Sequence, residues 1–200
     1  MNCKAGVRAL RSGPKGVTPF HWELEFPEVF TVDDKGHVTG GFDAIVGNPP
    51  FLGGQFISGV TSDRYLGMLK TTFEGTERVT DLVAFFFRRA FTLIRPRGTF
   101  GLIATNTISQ GDTRIGGLYY IRCAGGHIYC AIRRLPWPGL AAVVVSQVHI
   151  QKGPLDHLAL LDGKSVKDIT SYLYSTGGDE PPSPLAENAR HSHHGANRRG

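Results

Sequence analysis

Asn48-Pro49-Pro50-Phe51 is the stretch of this chain best equipped for chemistry. The Asn48 side-chain carbonyl accepts a hydrogen bond from an amino group. Neither proline carries an N–H and both restrict φ, which stiffens the segment and leaves the Pro49 carbonyl free for a second amino hydrogen. Phe51 adds a flat apolar face against which a planar base can lie. An exocyclic amino nitrogen held by two acceptors turns its lone pair to the third side, so the four residues suit alkylation of an amino group on a flipped nucleobase. The bland alternative is a Pro-rich turn after a buried strand.

Such a tip needs a rigid carrier, and the residues before it read as one. Phe42 to Val46 is a short apolar run that stops at Gly47, a strand whose carboxyl end delivers Asn48. Ligands in open α/β sheets collect at strand carboxyl ends. Ahead of it, Phe20 to Phe30 is expected to be a short amphipathic aromatic element and Val32 to Gly41 a polar turn. Residues 55–79 read as a loop with a short helix around Asp63 to Lys70. Thr80 is placed to cap the next helix with Asp81 in its first turn, and Leu82, Phe85, Phe86 and Leu93 fall near helical spacing. Arg95-Pro96-Arg97-Gly98 ends that helix. Thr99 to Thr105 is a strand apolar enough to be buried on both faces. Ile128 to Ile132 and Ala141 to Ile150 are two further strands, joined as a hairpin through Arg133-Arg134-Leu135-Pro136-Trp137-Pro138-Gly139.

Bulk properties narrow the class. Two hundred residues with 40% hydrophobic composition suffice for one core. The formal charge of +5, from 22 basic and 17 acidic residues, is compatible with a polyanionic partner but equally with an ordinary protein. Cys3, Cys123 and Cys130 form no Cys-x-x-Cys pair, so reduced structural thiols are expected and no metal is indicated. No stretch approaches the ~20 apolar residues of a membrane helix and no signal-type core opens the chain, which together give a cytoplasmic expectation with no membrane contact.

The chain resembles the S-adenosylmethionine-dependent DNA adenine-N6 methyltransferases, in particular the methylase region of large single-chain restriction and modification enzymes. The likeness rests on the Asn-Pro-Pro-aromatic tetrapeptide at Asn48 to Phe51, on Phe20-His21-Trp22-Glu23-Leu24-Glu25-Phe26-Pro27-Glu28-Val29-Phe30 and on Gly101 to Ile108. It continues through Gly111-Asp112-Thr113-Arg114 and Pro136-Trp137-Pro138-Gly139 to about Lys152. The resemblance implies an α/β fold holding the second half of a Rossmann-like methyltransferase sheet: strand, helix, strand, terminal hairpin.

It further implies that Asn48, Pro49, Pro50 and Phe51 are catalytic and that S-adenosyl-L-methionine is the methyl donor. Double-stranded DNA would be the partner. Asp81 corresponds to a cofactor-side position, or is a helix-start acid favoured by the dipole. Trp137 sits where related enzymes place an aromatic that stacks, with Phe51, on the extruded adenine, or is a loop-packing tryptophan. Arg114, Arg133 and Arg134 are candidate DNA contacts; Asp112 and Arg114, which follow the strand at Thr105, could meet backbone phosphate or order the active-site loop. Arg88 and Arg89 could likewise meet phosphates, although paired arginines are commonly solvated surface.

The same comparison exposes a gap. The family's Gly-rich turn for the methionine end of the cofactor, and its acidic residue for the ribose hydroxyls, have no counterpart ahead of Asn48; Ser12-Gly13-Pro14-Lys15-Gly16 has no apolar strand before it. The expected organisation is a flexible segment 1–19, the C-terminal half of a catalytic domain over 20–153, the start of a linker to a missing target-recognition domain over 154–185, and a disordered tail 186–200. A fragment of this kind is expected to be inactive alone and to need a complementary polypeptide carrying the cofactor half. Two other readings stay open: a non-catalytic nucleic-acid-binding fragment or subunit, and an amino-methyltransferase acting on RNA or a protein glutamine.

Overall fold

The aromatic residues near the start gather around one position. Trp22–Glu25 forms a single helical turn, α1, and Phe20, Trp22, Phe26 and Phe30 pack with centroid separations of 5.0–6.5 Å, three of them edge-on to Phe42. In this computed structural model, which describes residues 16, 18, 20–77, 79–137 and 143–181, that cluster seals the amino end of the strand bearing the tip. The expected polar turn is a small hairpin, β1 (Phe30–Val32) with β2 (Val38–Gly40), closed by Asp33, whose carboxylate accepts the backbone N–H groups of Lys35 and His37.

Strand β3 (Phe42–Gly47) runs as expected into the tip. Residues after the tip form a helical cap: a turn at Gly54–Phe56, α2 (Ile57–Val60) and α3 (Asp63–Thr72). Ser62 caps α3 by accepting the Tyr65 N–H. Ile57, Leu69, Leu82 and Phe85 make a small core of their own, which docks the cap on α4 (Leu82–Leu93). Helix α4 leads into β4 (Ile94–Thr105), which begins earlier than the apolar run suggested because Ile94 already pairs with Phe42. Next come α5 (Gly111–Arg114), a π-helical turn (Ile115–Tyr119) and α6 (Tyr120–Cys123), followed by β5 (Gly126–Pro136) and β6 (Val144–Lys152). Finally β7 (Ala159–Leu161) and β8 (Lys164–Val166) make a tight hairpin.

Six strands form one mixed sheet in the order β3-β4-β6-β5-β7-β8. β3 and β4 are parallel, while β6 inserts antiparallel between β4 and β5. The resemblance implied a strand, helix, strand and hairpin, and these elements take that arrangement. One face is the core: Ile45, Phe100, Leu102, Ala104, Val148 and Ile150 pack against Val83, Phe87 and Phe91 of α4 and against Leu118 and Ile121. Side chains alternate across the pleat, so Ala44 and Val46 point to the opposite face, where both are exposed and Val46 is 85% so. Among the described strands β3 pairs only with β4, so its outer edge is open.

Residues 154–181 depart from the expected linker. Ala159, Leu161, Ile169 and Leu173 enter the main core, and β7 pairs parallel to β5. The N-terminal segment 1–19 lies almost wholly outside the described residues, and the tail 186–200 entirely so. No described helix is long and apolar enough to cross a membrane.

Candidate active site at the carboxyl ends of β3 and β4

The parallel pairing of β3 with β4 brings two loop starts to one end of the sheet, since Gly47 lies opposite Leu102 and Asn48 follows directly. Asn48 is exposed, Pro49 is buried beneath it and Pro50 is exposed. Among the described residues nothing hydrogen-bonds the Asn48 amide, and with the residue exposed its carbonyl is free to accept from a ligand. Phe51 is 36% exposed and meets the half-buried Trp137 edge-on, with ring centroids 6.1 Å apart at 86°. The two aromatic residues proposed to stack on a base are therefore neighbours, though one follows β3 and the other follows β5. Trp137 is held by its backbone N–H, which donates to the Val143 carbonyl at 2.9 Å across the hairpin.

Behind the tip, the chain is fastened to the start of α4. The Leu82 N–H donates to the Leu52 carbonyl at 2.9 Å, and the Gly54 N–H donates to Asp81 Oδ1 at 2.9 Å. The approach is so close that a Cβ at Gly54 would lie 2.4 Å from the Val79 carbonyl carbon, so only glycine fits there. Asp81, not Thr80, is the N-cap residue, yet its carboxylate does not cap. Its Oδ2 instead accepts the Thr107 hydroxyl at 2.6 Å, and its backbone N–H donates to Thr113 Oγ1 at 3.0 Å. Thr80 turns back, its hydroxyl accepting the Glu77 N–H. Asn106, just beyond β4, accepts the Ser146 hydroxyl at 3.1 Å and so ties the β4 loop to β6.

The arginines divide. Arg114 was expected at nucleic acid, but it is 2% exposed and turned inward: its guanidinium donates to Ser171 Oγ and the Asp179 carbonyl and lies 3.8 Å from the centre of the Tyr172 ring. A side chain so placed has no reach to a phosphate. Arg88 is also buried, stacked on Tyr120 and bonded to the Glu74 carbonyl, and burial lowers its pKa. Arg89 pairs with Glu23. Arg133 is committed to Asp162 through its backbone N–H, Nε and Nη2. Arg134 alone of the sequence candidates stays exposed, at φ +54° where β5 slips register against β6, across from the β4 carboxyl end. The residues that sequence reasoning missed are Thr107, Thr113 and Gly54. The first two lay inside the quoted runs Gly101 to Ile108 and Gly111 to Arg114, but a threonine in a loop carries no local signal of a distant partner.

A family model for the Eco57I restriction-modification methylase matches residues 9–115, more than half of the 200. The chain belongs to the Eco57I restriction-modification methylase family. The matched region holds the tip, Asp81, Thr107 and Thr113. No curated protein sequence matches the chain. Among solved structures, the type IIL restriction-modification enzyme MmeI, determined in complex with DNA, superposes at a TM-score of 0.55 with 23% identity over 66% of this chain. That likeness is one of fold, and this chain spans 19% of MmeI. The EcoKI M protein of a type I restriction enzyme is more distant, at a TM-score of 0.41 and 18% identity over 57% of this chain and 22% of its own. So is a putative class I S-adenosylmethionine-dependent methyltransferase from Listeria monocytogenes, at 0.43 and 17% over 59% of this chain and 34% of its own.

Proposed function

We propose that this chain forms the acceptor side of an S-adenosylmethionine-dependent DNA methyltransferase acting on the N6 amino group of adenine. The observation that carries the reading is the Asn48 amide standing open at the carboxyl end of β3 beside the Phe51–Trp137 pair. An adenine extruded from duplex DNA would lie against Phe51, with Trp137 closing the far side. Asn48 Oδ1 and the Pro49 carbonyl would accept the two N6 hydrogens and turn the nitrogen lone pair outward, so this chain contributes orientation and polarisation. Arg134, the exposed arginine at the same end of the sheet, is the candidate phosphate contact. Working on DNA, such a protein belongs in the cytoplasm.

The described residues do not make a complete cofactor site. Asp81, the one described residue carried over from the family as a cofactor contact, spends its two carboxylate oxygens on Gly54 and Thr107. The open edge of β3, with Val46 85% exposed, supports a second element of the proposal: a complementary polypeptide bearing the first half of such a sheet supplies the donor side, and this chain is inactive alone.

The test is tritiated methyl transfer from S-adenosylmethionine to DNA, RNA and protein offered side by side, with this chain mixed with a polypeptide carrying a methylase cofactor half. DNA adenine should be labelled only in the mixture, and Asn48→Ala should abolish the label. Label on RNA or a protein glutamine would change the acceptor, and full labelling by the Asn48→Ala variant would remove Asn48 from the reaction.

A further inference from the structure

The geometry points to Asp81 as the residue that holds the Asn48 to Phe51 tip in place, a positioning residue and not a ligand of the cofactor; this rests on reading that tip as the acceptor site. Asp81 stands at the N-terminus of the 12-residue helix α4, where a carboxylate ordinarily caps the first-turn N–H groups. It forgoes that bond. Its two oxygens reach in different directions, Oδ1 to the Gly54 N–H at 2.9 Å and Oδ2 to the Thr107 hydroxyl at 2.6 Å. Gly54 belongs to the segment that leaves β3 and Thr107 to the segment that leaves β4.

Each link has a second, independent fastening. The Leu82 N–H donates to the Leu52 carbonyl at 2.9 Å, so the tip's own loop satisfies a helix donor that the Asp81 side chain leaves alone. The Thr107 hydroxyl also lies 2.8 Å from that of Thr105, the last residue of β4. The Asp81 backbone N–H donates to Thr113 Oγ1, and Thr113 is buried. One carboxylate thus ties together the chain segments leaving the two strands that bound the site. Bonds to an ionised acceptor are the stronger class, which suits a group that must fix two loops against each other. Phe51 lies only three residues before Gly54, and its contact with Trp137 depends on where that loop sits.

The test uses the full chain without cofactor or DNA, so its failure is separate from failure of the methyl-transfer reading. Trp22→Phe leaves Trp137 the sole tryptophan of the two in the sequence. In that background Asp81→Ala, Asp81→Asn and Thr107→Val are compared by deuterium exchange at the Gly54 amide and by acrylamide quenching of Trp137, with far-UV circular dichroism to verify folding. Asp81→Ala should raise Gly54 exchange by roughly 10- to 100-fold, the loss expected for a bond to a charged acceptor, and should make Trp137 easier to quench. Asp81→Asn should restore both signals, because its amide oxygen can accept from Gly54 while its NH2 donates to the Thr107 hydroxyl. Thr107→Val should give a smaller increase in exchange, and it carries the test if Asp81→Ala fails to fold. Unchanged Gly54 exchange and Trp137 quenching in a folded Asp81→Ala or Thr107→Val chain would overturn the proposal, as would an Asp81→Asn chain as disturbed as Asp81→Ala.

Discussion

Replacing Arg114 with alanine distinguishes a structural arginine from a DNA-binding one. The guanidinium donates to Ser171 Oγ at 2.6 Å and to the Asp179 carbonyl at 3.0 Å, and it stacks at 3.8 Å on Tyr172. Hydrogen bonds from a charged donor contribute about 1.5–3 kcal/mol each, and a desolvated cation–π contact about 2 kcal/mol. Against these stands the cost of burying a guanidinium whose Nε finds no partner among the described residues, which is several kcal/mol. The net loss on truncation is then about 2–4 kcal/mol. With an unfolding slope of about 2 kcal/mol per molar urea, the midpoint should fall by roughly 1–2 M. Arg114→Met keeps most of the volume and removes the costly charge, so it should lose less. Equilibrium urea unfolding followed by circular dichroism reads both variants, and limited proteolysis after residue 166 should show the segment held by Arg114 released first. A midpoint for Arg114→Ala within ~0.3 M of the parent, combined with weaker and less salt-dependent DNA binding, would refute the reasoning and return Arg114 to the phosphates.

Gly54→Ala should destabilise the chain by roughly 2–4 kcal/mol in the same assay, because the new methyl collides with Val79 and Thr80 backbone and pries the loop from Asp81; a change under ~0.5 kcal/mol would mean the loop yields freely. Acid should weaken the hold on residues 168–180. Burial pushes the Asp179 carboxyl up, but the Ser171 N–H and the Arg122 guanidinium outweigh it and hold the pKa below the usual value; Arg133 likewise holds the carboxyl of the exposed Asp162 below the usual value. A depressed folded-state pKa means stability that is present above about pH 4 and lost as pH falls further, so proteolysis of this segment should accelerate below pH 4 and not between pH 5 and 7. Val46→Lys should cost under ~0.5 kcal/mol while reducing self-association, since the side chain is exposed on an open edge strand; it should also block complementation by a cofactor-half polypeptide, and unimpaired complementation would place that partner elsewhere.

The candidate site was legible in its backbone, where two prolines restrict the chain. Asn48-Pro49-Pro50-Phe51 stands out because two consecutive prolines and an abrupt stop after Val46 mark a rigid strand end, and β3 ends there. Helix α4 and strands β4, β5 and β6 were visible through periodicity and β-branched runs, with boundaries displaced by tertiary pairing such as Phe42 with Ile94. The Asp81 tie was not legible. A capping acid and a tethering acid look alike in one dimension, and choosing between them requires knowing that residues 54 and 107 arrive at the same helix end. The inward turn of Arg114 was hidden for the same reason, since its partners lie 57 and 65 residues away.

The elements that went unread show two different physical causes. Residues Gly111 to Cys123 fold as a helix through α5, a π turn and α6 despite Gly111, Gly116 and Gly117, which together forfeit about 2–3 kcal/mol of helix propensity. Tertiary contact overrides that preference, because a Cβ on Gly117 would sit 3.1 Å from Ala84 Cβ and push this helix off α4. The glycines that hide the helix from a propensity reading are thus what let it pack. In β7–β8 the local signal was present instead: Asp162-Gly163, with φ of +50° and +78°, is a two-residue hairpin turn of the type this pair favours. Flanked by strands of only three residues, that turn has no stability of its own. It gains it from Arg133, which binds the Asp162 carboxylate and the Leu173 carbonyl together, and from Arg122, which bridges Asp168 and Asp179. These arginines are therefore engaged in holding residues 162–180 to the sheet, while Arg134, on the same strand as Arg133, stays exposed.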